Sequence, residues 1–323
     1  MSDKYLEVIQ QYDFQIKQTN RARGGMLLDT DQGLKMIREY DGTEKRLVFQ
    51  EELLGKIRDT EMIFVDQLNR TKEDTLFCKD SDGKKYIVRD HYSGRECDVK
   101  NQKDLCNAGL LLGQLHNLLG RIELKTEFDM PTGNFSSLIK EYEGYILEMK
   151  RARNYIRQKR RKQIFELKVV ENYEMFMEEA IEALQKMKQC HLREERKLRH
   201  GNYNYHNLCF TPSKTVIYQT GMARYDLQMK DLYDFLRKVM EKTDWNLESG
   251  NRIISNYNVA KPITENEMRL LTAMLKFPYK YWKLVNHYYN SHKSWIPEKS
   301  IEKLERICKQ NEKKNYFVEC VGR

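Results

Sequence analysis

Residues 200–207 read His-Gly-Asn-Tyr-Asn-Tyr-His-Asn, and a short way further on the chain reads Gln219-Thr220-Gly221. Asn202 and Asn207 are carboxamides at a fixed spacing. Each offers an oxygen that can ligate a hard cation and an NH2 that can donate, but neither accepts a proton at neutral pH as a carboxylate does. Gln219 has the same limits. Far upstream, Lys35 and Arg38 place two cations on one predicted strand. They are three apart and so point to opposite faces, which lets one meet a cleft and the other solvent. Such a set can hold an anion and orient a hydroxyl; it lacks a group to take the proton.

The spacing H-G-N-x-x-x-x-N matches the kinase catalytic loop H-R-D-x-x-x-x-N position for position. In that loop the Asp accepts the substrate hydroxyl's proton and the Asn holds magnesium. Asn202 stands at the Asp position and Asn207 at the metal Asn. H-G-D is the variant carried by small-molecule kinases of the aminoglycoside and choline kinase type. The next hairpin in a kinase delivers a second metal carboxylate, the Asp of D-F-G. Here that place is Gln219, and the first carboxylate after it is Asp226. A neutral amide is a poor magnesium ligand beside a carboxylate.

Two kinds of scaffold must position these residues. The first ninety read as a short helix, an edge strand at 12–17, and a hairpin of 26–30 and 34–40 around Asp31-Gln32-Gly33. A helix at 44–58 follows, then strands at 74–78 and 85–89 around an Asp82-Gly83 tip. Glu51 or Glu52 on the helix is a candidate partner for the strand cation, and Gly24-Gly25 reads as a turn. Residues 90–97 read as a hinge, dividing the chain into 1–92 and 93–323. Beyond it come a helix at 105–119 with His116 on its apolar face, and long helices from 131 to 198. The 208–219 hairpin follows, then a helix that Asp231 would N-cap, and an aromatic-rich helical tail running through Phe277, Trp282 and Trp295. Residues 150–162 carry eight basic side chains and no acidic one, a solvated helix face able to make weak contact with an anionic surface.

The 323 residues carry a formal net charge of +9, 33% charged residues and 11% aromatics, a globular composition rather than a disordered one. The seven cysteines are scattered without C-x-x-C spacing, which speaks against a zinc site or disulfide framework. No apolar run approaches the ~18 residues of a membrane span. No base-reading nucleic-acid module accompanies the basic run. The polar start, without an apolar signal core, fits synthesis and folding in a reducing cytosol.

Several stretches together carry a family resemblance. They are the hairpin from Asp29-Thr30 to Lys35, Ser93-Gly94-Arg95-Glu96-Cys97, the 200–207 loop, Tyr225-Asp226 through the 231–238 run, and Phe277-Pro278 through residues 286–290. In these the chain resembles the CotS-type spore coat proteins of endospore-forming bacteria, themselves similar to aminoglycoside and choline kinases. The resemblance implies an α+β, bilobal protein-kinase-like fold with a small antiparallel-sheet N-lobe and a larger, mainly helical C-lobe. It implies synthesis in the mother cell and deposition in the spore coat beside other coat proteins. It implies ATP and magnesium as cofactors, with Arg38 or Lys35 and Gln219 near the nucleotide and Asn207 at the metal; Arg38 is the cation aligned with the kinase Lys. With Asn202 and Gln219 at the two Asp positions, the expectation is a pseudokinase with a structural or interaction role, which need bind no cofactor. The alternative is an active ATP-dependent phosphotransferase on a small hydroxylated substrate.

Overall fold

Strand-forming residues crowd the first ninety positions and helix formers the remainder, and the computed structural model divides accordingly. It describes residues 3–124, 132–192, 197–291 and 298–322. Pro131, Trp295 and residues 193–196, which figured in the sequence reading, lie outside these. After α1 (Asp3–Ile9) come β1 (Ile16–Ala22), β2 (Gly25–Thr30), β3 (Gly33–Glu39), α2 (Glu44–Arg58), β4 (Phe64–Val65), β5 (Leu68–Asn69), β6 (Cys78–Lys79) and β7 (Lys85–Asp90). Strands β1-β2-β3-β7-β5 form one antiparallel sheet in that order, with β6 also paired to β7. Leu28, Ile37 and Val88 on one face of it pack against Val8, Ile9 and Tyr12.

The edge strand begins at Ile16 and not at Tyr12, because Tyr12 is a buried plug beneath the sheet. Likewise β6 is only two residues, where a strand over 74–78 was expected. Segments as short as β4 and β5 carry no period that a sequence could reveal.

Next come β8 (Arg95–Glu96), α3 (Gln102–Leu119), α4 (Phe135–Gln158), α5 (Ile164–Glu171), α6 (Tyr173–Lys188), β9 (Lys197–Arg199), β10 (Leu208–Phe210), β11 (Thr215–Ile217) and β12 (Arg224–Asp226). Helices α7 (Met229–Met240), α8 (Leu247–Ala260), α9 (Glu265–Lys276), α10 (Tyr279–Ser291) and α11 (Glu298–Val321) complete the chain. A four-stranded sheet, β4-β11-β10-β8, lies between the two regions, with β4 parallel to β11. The large core also crosses over: Phe49, Leu53, Leu54 and Ile57 of α2 join the apolar residues of α3 through α11. Helix α3 lies hard against α8, and a Cβ at Gly109 would overlap the Ile253 carbonyl. The aromatic tail is indeed core: Phe277, Tyr281 and Tyr288 are buried.

The basic run differs from expectation at its end. Helix α4 stops at Gln158, so residues 159–162 form a connection to α5. Lys159 turns inward, donating from Nζ to Glu166 Oε1 (2.6 Å) and to the Tyr288 hydroxyl (2.9 Å). Glu166 is fully buried, and a buried carboxylate needs a counter-charge. Arg157, Arg160 and Arg161 remain exposed.

Candidate functional site

The 200–207 loop is held from below by one carboxylate. Asp231 is the third residue of α7, whose N-cap is Gln228, so it does not cap its own helix as the sequence suggested. It caps the loop instead. Its Oδ1 accepts from Arg199 Nη1 (2.7 Å) and the Gly201 amide (2.9 Å). Its Oδ2 accepts from the His200 amide (2.7 Å) and faces His116 Nε2 (3.3 Å). Burial opposes ionisation of Asp231, but the Arg199 guanidinium, with His116, outweighs it and holds the carboxyl well below the usual carboxylate range. Gly201 sits at φ +79°, where a side chain would overlap the Met222 carbonyl. Only glycine meets both demands. His116 is a buried structural histidine, bonded to the Tyr257 hydroxyl at 2.8 Å.

His200 is buried, and burial pulls its ring down to about 4, so the ring is neutral at pH 7. The Asn202 amide donates to Nδ1 (3.2 Å), which leaves Nε2 as the donor to the Tyr218 carbonyl (3.1 Å). Asn207 Nδ2 donates to the Asn202 carbonyl (2.8 Å), leaving its Oδ1 as the acceptor. Asn204 Nδ2 donates to Asn202 Oδ1 (3.0 Å). The loop is thus a closed set of amide contacts.

Gln219 follows β11 in a left-handed conformation, φ +66°. The segment behind it is clamped by α2: Arg46 donates to the Gly221 carbonyl (2.7 Å) and to the Ala223 carbonyl (2.6 Å). The inward polar residue of α2 is Gln50, which meets Arg89. Glu51 goes to Arg70 at the surface (2.6 Å), so it does not serve a β3 cation. Asp66, buried beside this segment, meets Arg89 (3.5 Å) and the Thr220 hydroxyl (3.3 Å), and accepts from the Gln219 amide.

Arg38, Asn202, Asn207 and Gln219 all line one cleft of about 780 Å³ between the sheet and the helices, a size suited to a nucleotide-scale ligand. Lys35 does not line it. It shares the sheet face of Ile37, where Nζ bonds Asp90 (2.7 Å) and Asn69 (2.8 Å); Met36 and Arg38 take the other face. The cleft also recruits residues not singled out from sequence. Arg23 comes from the β1–β2 turn, Lys238 from α7, Tyr218 from the end of β11, and Glu96 with His206 from β8 and the loop. Glu96 Oε2 meets His206 Nδ1 at 2.6 Å. His206 lay within the motif. Arg23 and Lys238 carry no local signal, since only the lobes' packing brings them here.

A magnesium ion of the kinase type does not fit this donor set. Asn207 and Gln219 are neutral, Glu96 is spent on His206, and Asp66 on Arg89 and Thr220. Among the described residues no group of three or more His, Cys, Asp or Glu could hold a metal ion. A phosphate-bearing ligand does fit, since Arg23, Arg38, Arg95 and Lys238 outnumber the one lining carboxylate, Glu96.

A small antiparallel N-lobe, a helical C-lobe and a loop of catalytic spacing between them define a bilobal, kinase-like phosphotransferase fold. An aminoglycoside phosphotransferase from Alicyclobacillus acidocaldarius superposes with a TM-score of 0.84 at 16% identity, covering 97% of this chain and 94% of that one. A spectinomycin phosphotransferase bound to ADP and its antibiotic gives 0.66 at 12% identity, with 95% and 94% covered. Amicoumacin kinase with AMP-PNP and calcium gives 0.61 at 13%, with 97% and 92% covered. At these identities the likeness is one of fold. No curated protein matches the sequence significantly. Residues 6–321 match the family described as "Spore coat putative kinase YutH". The chain belongs to that family of CotS-like spore coat kinases. Among the described residues no helix is long and apolar enough to cross a membrane.

Proposed function

We propose that this protein is a catalytically impaired kinase-like member of the spore coat, synthesised in the mother cell and acting there through structure and interaction with other coat proteins. We place its lobe boundary near residue 92, with 93–323 as the helical lobe. One observation carries the reading: the cleft that gathers Arg38, Asn202, Asn207 and Gln219 has no carboxylate at either position where a kinase needs one. Asn202 cannot take a proton from an attacking hydroxyl, a role worth ~10²–10⁴-fold. Gln219 brings no charge to a metal that would neutralise the migrating phosphoryl group. The exposed arginines at 157, 160 and 161 offer a weak, non-specific contact for anionic material in the coat.

A second reading, an active phosphotransferase on a small hydroxylated substrate, is favoured by the Glu96–His206 pair. With Glu96 on Nδ1, the free Nε2 of His206 is a base within the same cleft. ATP consumption with magnesium separates the two. The impaired reading expects none from the wild type, little from Asn202→Asp, and turnover at the earliest from Asn202→Asp with Gln219→Asp. Robust wild-type turnover that is lost in Asn207→Ala would favour the second.

A further inference from the structure

We infer that the cleft binds a chain of phosphates directly, with no divalent cation between ligand and protein. The inference rests on reading the cleft as a degenerate kinase site and names what that site still holds. In a kinase, magnesium bridges the phosphates and neutralises their charge, and carboxylates keep it there. Here both carboxylate positions are amides, and cations from three separate elements line the same cleft instead: Arg23 before β2, Arg38 on β3 and Lys238 on α7. Arg95 is a weaker candidate, because its guanidinium is already forked onto Asp104.

Arg38 is the anchor. Its Nε is buried and has no hydrogen-bond partner within the protein, and a buried donor without an acceptor is costly. Arg38 lines the cleft, and the planar fork of a guanidinium suits phosphate oxygens. Burial has pulled the ionisation of both Arg38 and Lys238 down, so an arriving anion relieves a strain that already exists. A bound magnesium ion would add two positive charges to a site that is already cationic.

The phosphate chain could belong to a nucleoside triphosphate or to inorganic tripolyphosphate. The Tyr218 hydroxyl accepts from the Tyr92 amide (2.9 Å) and donates to the Tyr92 carbonyl (3.3 Å). A base lying along the 90–97 segment therefore finds the amide and the carbonyl of Tyr92 already partnered.

The test is equilibrium binding of a fluorescent ATP analogue to the full-length protein in EDTA. Tripolyphosphate and ATP serve as unlabelled competitors, magnesium is then added, and ATP consumption is followed in the same samples. Saturable binding in EDTA that weakens several-fold in excess magnesium is expected. Arg38→Ala should lose at least about tenfold in affinity, and Arg38→Lys should lose part of it, since a lysine restores the charge without the Nε donor or the fork. Lys238→Ala, from α7, gives a second readout if Arg38→Ala melts early. Displacement by both competitors identifies the phosphate chain alone as the ligand, and displacement by ATP alone identifies a nucleotide; either supports the inference. Binding that requires magnesium, or no binding of ATP or tripolyphosphate in EDTA, overturns it. Magnesium-dependent binding without turnover would sink this inference and leave the impaired-kinase reading standing, whereas magnesium-dependent turnover would sink that reading too.

Discussion

Replacing Asp231 by Asn is the sharpest test of how the loop is held. The two side chains have nearly the same shape, so the change removes a charge and turns one oxygen into a donor. If the remaining oxygen stays with Arg199 and Gly201, the new NH2 meets the His200 amide, donor against donor. That buried amide is then unpaired, at about 1–3 kcal/mol. His116 can adapt by switching tautomer and accepting the new NH2, since its other nitrogen faces a hydroxyl. Arg199 keeps Asp226 at 3.2 Å and the neutral oxygen at position 231, but loses the closer of its two counter-charges. Removing one partner of a buried pair outright costs about 3–5 kcal/mol, and the surviving Asp226 trims this. The expected total is about 3 kcal/mol, read as the shift in urea unfolding free energy at pH 7. The pH dependence follows from the sign. The folded carboxyl ionises below its unfolded value of about 3.9, so its contribution is present above that value and fades only as acid takes the pH beneath it. The difference between wild type and variant should therefore be flat from pH 8 to 6. A difference under about 1 kcal/mol, or one that vanishes by pH 6, would refute the assignment of Asp231 as the loop's anchor.

Three further outcomes follow from the same geometry. His200 takes up its proton more readily unfolded, near 6.5, than folded, near 4. Stability should hold above pH 6.5 and fall as the pH drops toward 4, by up to about 3 kcal/mol from this residue; His200→Gln should flatten that slope in unfolding measured at stepped pH. Gly201→Ala forces a left-handed alanine against the Met222 carbonyl and should cost at least about 2 kcal/mol by thermal unfolding, whereas Gly144→Ala, in open space on α4, should not destabilise. Binding to anionic lipid vesicles through Arg157, Arg160 and Arg161 should be weak, absent on neutral vesicles, and lost at high salt or on charge reversal of the three; retention at 0.5 M salt would contradict a purely electrostatic contact.

The sequence alone determined the parts whose information is local. Alternation and turn chemistry placed β2, β3 and β7, apolar spacing placed α2 and α3, the H-G-N-x-x-x-x-N spacing located the loop with its amide at Asn202, and the hairpin after it located the second amide, Gln219. The opposite faces of Lys35 and Arg38 also follow from strand geometry, although which of them meets the cleft does not. That choice belongs to the fold, because α1 covers one face of the sheet and leaves the other to the helical lobe. The same holds for Asp231, which looks like a helix cap in sequence until Arg199 and the loop amides are brought within reach of its carboxylate. Gln50 displaced Glu51 as the inward residue of α2, since helix rotation is fixed by the packing of Phe49, Leu53 and Leu54 and not by charge. Arg23, Lys238 and the Glu96–His206 pair became site residues only when segments distant in sequence closed around one cavity. Long-range contacts of that kind leave no periodicity in the chain; they exist only once the lobes have packed.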